Sequence, residues 1–120
     1  MPSPPNYQKK TPLPILYVDE SIVIVDKPAW LLTTPSTRPE YNDNVLKRIQ
    51  KRFPWAQGPI IPHRLDMATS GILALALNKN AHRHLSQQFA RREVHKTYIA
   101  ILDGALHSHR GSIRLALRGD

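Results

Sequence analysis

A junction between a polar run and an apolar run in the middle of the chain constrains its fold more than any other feature. Residues 63–71 read His-Arg-Leu-Asp-Met-Ala-Thr-Ser-Gly, and residues 72–77 read Ile-Leu-Ala-Leu-Ala-Leu. A short run that is apolar throughout is typical of a strand buried on both faces. Arg64 and Asp66 are two residues apart, so in extended backbone both side chains leave on one face, where a guanidinium can hold a carboxylate ionised. The junction therefore predicts a buried strand and an Asp66 carboxylate held near the core.

Further strands are predicted on both sides of this junction. Short runs rich in β-branched residues at 15–18 and 22–25 are separated by a polar turn, which indicates two connected strands. The second of these ends at the break before Pro28. Residues 95–102 and 112–117 have the composition of two later strands.

Two amphipathic helices are predicted between the strands. Asp43 or Asn44 can cap the first, which ends before Pro54. Its apolar side carries Val45, Leu46, Ile49 and Phe53, and its basic side carries Lys47, Arg48, Lys51 and Arg52. Asn78 or Asn80 can cap the second helix. In that helix Ala81, Leu85 and Phe89 are spaced four apart, and Arg91 and Arg92 fall in the predicted last turn.

The order of these elements indicates the fold class. Strands and helices alternate without a regular βαβ repeat, which favours an α+β fold with a mixed, mostly antiparallel sheet and flanking helices. Residues 1–14 contain five prolines and two lysines, a composition typical of an extended arm. We expect residues 15–120 to belong to a single domain.

Charge and composition narrow the class of function. Seventeen Lys and Arg residues against nine Asp and Glu give a formal net charge of +8, which favours a polyanionic partner. The absence of cysteine excludes disulfides, thiolate catalysis and cysteine-based zinc sites. The six histidines lack the spacing of a metal site, so no metal is predicted. With no long apolar run and no leader-like N-terminus, we expect a cytoplasmic protein that does not contact membranes.

Three segments, in the same order along the chain, resemble the RluA-type pseudouridine synthases, which isomerise uridine in folded RNA. They are the strand and Lys-Pro turn at residues 24–33, the His-Arg-Leu-Asp-x-x-Thr-Ser-Gly signature at residues 63–71, and the Lys-x-Tyr strand at residues 96–100. The uninterrupted Met67-Ala68 step is similar to the short, single-domain branch of this family. Trp30 stands where members usually have glycine.

The resemblance implies a set of site residues. Asp66 matches the catalytic aspartate, and Tyr98 matches the active-site tyrosine, which could stack on the flipped uracil or position it through its hydroxyl. Arg64 could fill the space that a flipped uridine leaves, or it could form a structural ion pair. The predicted RNA-binding residues are His63, Thr69, Ser70, Gly71, Lys96, Arg91 and Arg92. For Thr69, Ser70 and Gly71, bracing the loop is an equally good interpretation. The sequence leaves open whether Asp66 adds covalently to substrate or abstracts a ribose proton.

The resemblance also implies the partner and the extent of the domain. The substrate would be a stem-loop of tRNA or large-subunit rRNA, with no cofactor and no obligate protein partner. Family domains continue beyond the equivalent of Asp120 with more strands and a Gly-Arg-x-His-Gln motif, so we expect residues 1–120 alone to be poorly active and marginally stable. The alternative functions are a catalytically silent RNA-binding remnant and a general basic adaptor for which Asp66 is unimportant.

Overall fold

Two helices and one antiparallel sheet make up the regular structure of residues 11–116, the part of the chain that the computed structural model describes. The elements are β1 (Ile15–Val18), β2 (Ile22–Lys27), α1 (Val45–Arg52), β3 (Gly71–Ala76) and α2 (Lys79–Ala90). The strands pair in the order β1-β2-β3, and both pairings are antiparallel. The predicted α+β class with a mostly antiparallel sheet is thereby confirmed.

The sheet buries the face that β2 and β3 share. Val23 pairs with Leu75 and Val25 pairs with Leu73, and all four side chains are fully buried. Since side chains alternate along a strand, Ile72 points away from this face and is 64% exposed. The expectation that residues 72–77 are buried on both faces is therefore wrong for the first half of β3. It holds at the end of the strand, where consecutive side chains are buried.

Helix α1 forms as its pattern predicts. The side chain of Asn44 caps it by accepting a hydrogen bond from the Lys47 amide at 2.7 Å. Val45, Ile49 and Phe53 are buried in the core. The exposed residues of the opposite side are Lys47, Lys51 and Arg52, whereas Arg48 is half-buried and forms an ion pair with Asp43 at 2.7 Å.

Helix α2 begins as predicted but ends directly before its two arginines. Asn78 caps it by accepting from the Ala81 amide at 2.8 Å, and the side chains at the predicted four-residue spacing are half-buried. The helix ends at Ala90, so the placement of Arg91 and Arg92 in its last turn is wrong. Arg92 has a φ of +56°, which turns the chain out of the helix.

The later strands are absent from the described residues. Residues 94–116 form neither helix nor strand, so the predicted strands at residues 95–102 and 112–117 do not form within that range. Ile99 and Ile101 in this segment are 96% and 101% exposed. Apolar composition predicts where a strand can form, but a strand also needs a partner edge, and this segment pairs with neither β1 nor β3.

The N-terminal arm lies largely outside the described residues. Of residues 1–14 only residues 11–14 are described, and they lie against the domain: the Pro14 carbonyl accepts from the Asp26 amide at 3.0 Å, and Arg48 donates to the Thr11 carbonyl. No helix of residues 11–116 is long and apolar enough to cross a membrane.

Candidate active site

The loop that carries Asp66 alternates exposed and buried side chains. Arg64 and Asp66 are exposed, whereas Leu65 and Met67 are 8% and 4% exposed. The Thr69 amide donates to the Asp66 carbonyl at 3.0 Å, which closes a turn directly after the aspartate. Asp66 is therefore presented to solvent by two neighbours that are anchored in the core. The expectation that Asp66 itself lies near the core is corrected to this arrangement.

Thr33 fixes the residue before Asp66. Its side chain is 2% exposed, and Oγ1 donates to the Leu65 carbonyl at 2.8 Å and accepts from the Leu65 amide at 3.2 Å. One hydroxyl thus satisfies both backbone groups of a buried residue, which would otherwise be left without partners.

Lys27 fixes the residue after Asp66. The side chain is fully buried, and Nζ donates to the carbonyls of Pro28 at 2.9 Å, Leu31 at 2.6 Å and Met67 at 3.1 Å. Burial lowers the pKa of Lys27 to about 8, and the nearby negative charge of Asp66 opposes this shift. Lys27 therefore joins the Lys-Pro turn to the signature loop.

Trp30 reinforces the same connection through its backbone. Its amide donates to the Met67 carbonyl at 2.6 Å, and its φ is +69°. This left-handed conformation is the one that glycine adopts most easily. The tryptophan keeps the turn and bears a conformational cost.

A pocket of about 730 Å³ lies beside the loop. The predicted site residues that line it are His63, Thr69, Ser70, Gly71, Lys96 and Tyr98. Phe89 of α2 forms one wall, where the His63 ring stacks on it with centroids 4.0 Å apart. The structure thus brings together residues that are up to 35 positions apart in sequence, from His63 to Tyr98.

His63 is held in a defined state at this wall. Its Nε2 accepts a hydrogen bond from the Ala74 amide of β3 at 3.0 Å, which requires that nitrogen to be unprotonated. Burial and the charge of Lys96 lower the pKa of His63. These contacts favour a neutral ring that helps to shape the pocket.

The remaining predicted residues lie apart from the pocket lining. Arg64, Asp66, Arg91 and Arg92 are exposed and do not line it. Within residues 11–116 no ion pair joins Arg64 to Asp66, so the predicted pairing is not observed. Tyr98 lines the pocket from a segment without regular structure, and it is 62% exposed.

Gly71 has a backbone requirement of its own. Its φ is +141°, a conformation that L side chains rarely adopt, where the chain enters β3 opposite Lys27. The glycine of the signature therefore serves the geometry of the loop.

Among the described residues no group of three or more acidic, histidine or cysteine side chains is arranged to hold a metal ion.

Sequence reasoning missed Lys27 and Thr33 as residues of this site. Lys27 follows Val23 and Val25 at a spacing of two, so the strand period places all three on the buried face. That parity could have identified a buried lysine. Thr33 gave no comparable signal, because its partner Leu65 is 32 residues away in sequence.

Comparison with known proteins identifies the family of this chain. The model of a family described as RNA pseudouridylate synthase matches residues 21–119. The chain is 48% identical over 103 residues to the dual-specificity RNA pseudouridine synthase RluA of Yersinia pestis, covering 86% of this chain and 48% of that protein. It is 44% identical over 105 residues to the protein of the same name from Escherichia coli (strain K12), covering 88% of this chain and 47% of that protein.

Solved structures show the same fold. The human RNA pseudouridylate synthase domain-containing protein 1 superposes with a TM-score of 0.51 at 31% identity, over 68% of this chain and 29% of that one. The human domain-containing protein 4 superposes with a TM-score of 0.53 at 23% identity, over 66% and 30%. The chain spans about half the length of the curated relatives it matches. With a family match over most of its residues, the chain belongs to the RNA pseudouridylate synthase family.

Proposed function

We propose that this chain supplies the catalytic loop of an enzyme that isomerises uridine to pseudouridine in structured RNA. The observation that carries the proposal is the position of Asp66, an exposed carboxylate between two buried residues whose backbone groups are tied to Thr33 and Lys27. A carboxylate that is presented to solvent on a fixed backbone is suited to act on a bound substrate, because little reorganisation is needed at the moment of reaction.

The reaction needs no outside reactant. The bond from uracil N1 to ribose C1′ breaks, the base turns, and a bond from C5 to C1′ forms. C5 loses its proton and N1 gains one, so the atoms balance. Asp66 is the proposed catalytic carboxylate, acting either as a nucleophile or as a base. No cofactor is required for these steps.

The pocket beside the loop is the proposed site of the flipped uridine. It has room for a nucleotide, and Tyr98 offers a ring on which uracil can stack. Thr69 and Ser70 supply hydroxyl groups at its edge, where ribose and phosphate oxygens would lie. Arg64 is exposed and directly precedes Leu65 in sequence. Its side chain is proposed to occupy the space that the flipped uridine leaves in the RNA.

Exposed basic side chains on α1 and after α2 are proposed to hold the RNA backbone. Lys47, Lys51 and Arg52 are exposed on α1, and Arg91 and Arg92 are exposed after α2. The formal net charge of +8 supports a polyanionic partner. The relatives are named dual-specificity RNA pseudouridine synthases. We propose a stem-loop of tRNA, of large-subunit rRNA, or of both as the RNA, as the resemblance to RluA-type synthases implies.

A second candidate is RNA binding without isomerisation. The observation that favours it is that Asp66 does not line the pocket, while Tyr98 belongs to an exposed segment without regular structure. In that case the loop and the basic residues would bind RNA, but the carboxylate would not reach the substrate.

Release of tritium from RNA labelled at uridine C5 tests the proposal, because the C5 proton is lost only when C5 bonds to ribose. The complete protein is incubated separately with unmodified tRNA and with large-subunit rRNA fragments. We expect release from at least one of them, with a pseudouridine mapped by mass spectrometry. RNA binding without release from either would favour the second candidate.

A further inference from the structure

We propose that Thr33 is a positioning residue for Asp66, an inference that rests on the proposed function. The side chain does not reach solvent, so it cannot act on RNA directly. It acts instead through Leu65, whose amide and carbonyl both bond to the Thr33 hydroxyl. The hydroxyl thereby fixes the orientation of the backbone that leads into Asp66.

The covalent geometry makes this effect direct. The Leu65 carbonyl belongs to the same planar peptide unit as the Asp66 amide, so a bond to that carbonyl restricts the plane from which Asp66 departs. A second bond to the Leu65 amide restricts the preceding plane. With two successive planes held by one atom, the direction of the Asp66 side chain depends on Thr33 Oγ1.

Thr33 is itself well anchored. Its own carbonyl accepts from the Leu46 amide in the first turn of α1 at 3.1 Å, and the neighbouring Leu32 carbonyl accepts from the Val45 amide at 2.8 Å. The hydroxyl therefore transfers the position of α1 and its core contacts to the Asp66 loop. Lys27 holds the other side of the loop at Met67, so loss of the Thr33 bonds would leave Asp66 fixed on one side only.

Two matched substitutions separate the hydroxyl from the shape of the side chain. Thr33→Val keeps the volume and removes both hydrogen bonds, whereas Thr33→Ser keeps the hydroxyl and removes a methyl group. They are compared in the complete protein by single-turnover tritium release at saturating RNA and by RNA affinity. Because small displacements of a catalytic group cost up to about 100-fold in rate, we expect Thr33→Val to lower the rate constant about 10- to 100-fold with RNA affinity unchanged. Thr33→Ser should retain the wild-type rate.

Hydrogen exchange at the Leu65 amide provides a readout that does not depend on activity. We expect faster exchange in Thr33→Val and wild-type exchange in Thr33→Ser, with the rest of the sheet unchanged in both. If Thr33→Val does not fold, Thr33→Ala is measured by the same criteria. Failure of both variants to fold would make Thr33 a folding residue and overturn the positioning role.

The outcomes separate this inference from the proposed function. A folded Thr33→Val variant with the wild-type rate overturns the inference, and so does a folded Thr33→Ser variant with the rate of the valine variant. Either result leaves the proposed function standing if wild type is active and Asp66→Ala is not. A wild-type protein that forms no pseudouridine refutes the proposed function and this inference with it.

Discussion

At the scale of single residues, a buried ammonium group connects the strand β2 to the signature loop. Lys27 lies on the core face of the sheet, and its ammonium group donates hydrogen bonds to three backbone carbonyls. A buried charge is tolerated when its hydrogen bonds are satisfied, and breaking such an arrangement is costly because the partners are left unpaired. The stability of the Asp66 loop therefore depends on Lys27.

The first prediction concerns Lys27→Met. The substitution removes the charge and leaves three carbonyls without a donor, so we expect the free energy of unfolding at pH 7 to fall by about 3 kcal/mol. Chemical denaturation of wild type and variant measures the difference. Lys51→Met, at an exposed position of α1, is the matched control and should change stability little.

The difference in the free energy of unfolding between wild type and Lys27→Met depends on pH. The pKa of Lys27 falls from its ordinary value of 10.5 to about 8 on folding, so between these values the unfolded chain binds more protons than the folded one. Stability that depends on Lys27 therefore rises as the pH increases from 8 towards 10.5. From pH 7 to 9.5 wild type should gain about 2 kcal/mol relative to Lys27→Met. A constant difference across this range would contradict the lowered pKa.

The second prediction concerns Arg92. Its amide donates to the Phe89 carbonyl at 3.1 Å and the Glu93 amide donates to the Gln88 carbonyl at 2.9 Å, the pattern of a Schellman motif. Glycine usually occupies the position with positive φ, and the cost of a left-handed L residue is about 1 kcal/mol. We expect Arg92→Gly to raise the free energy of unfolding by roughly this amount in thermal or chemical melts. A destabilised variant would show that the arginine side chain contributes more than the strain costs.

At the scale of elements, local patterns predicted the helices and the first strands well. The caps at Asn44 and Asn78, the end of α1 before Pro54 and the pairing of β1 with β2 all follow from side-chain chemistry within a few residues. The predicted strand at residues 95–102 does not form. Its apolar composition does not specify which sheet edge it would pair with.

The third prediction compares charge reversals at the two ends of α2. If Arg91 contacts RNA phosphates, Arg91→Glu should weaken binding of all RNAs alike and reduce the slope of log affinity against log salt. Lys79→Glu reverses a charge at the other end of the same helix and serves as the control. Binding titrations at several salt concentrations compare the two. Equal losses would indicate an effect of net charge alone.

At the scale of the whole molecule, the described residues leave one sheet edge and several large apolar side chains uncovered. β3 lies at one edge of the sheet. The segment after α2, residues 94–116, exposes large apolar side chains, with Leu106 72%, Ile113 84% and Leu115 79% exposed. Exposed apolar surface and free sheet edges favour association or aggregation. The described core is formed by β2, β3, α1, the loops that join them, and Leu77 directly after β3.

Much of the candidate site was predictable because its residues share one signature. Residues 63–71 supply the loop of Asp66 and part of the pocket lining. The contacts that hold this loop were not predictable, since Thr33 and Lys27 reach it across 32 and 40 residues of sequence. Local patterns identify chemical groups, whereas the anchoring of those groups depends on the tertiary fold.

The most direct test of the central claim is the effect of Asp66→Ala on turnover and on RNA affinity, measured together in the complete protein. One carboxylate provides the chemistry, whereas binding comes from many basic and stacking contacts. We predict that the variant forms no pseudouridine while its RNA affinity stays within about a few-fold of wild type. Appreciable turnover by the alanine variant would contradict the account and remove Asp66 from the catalytic role.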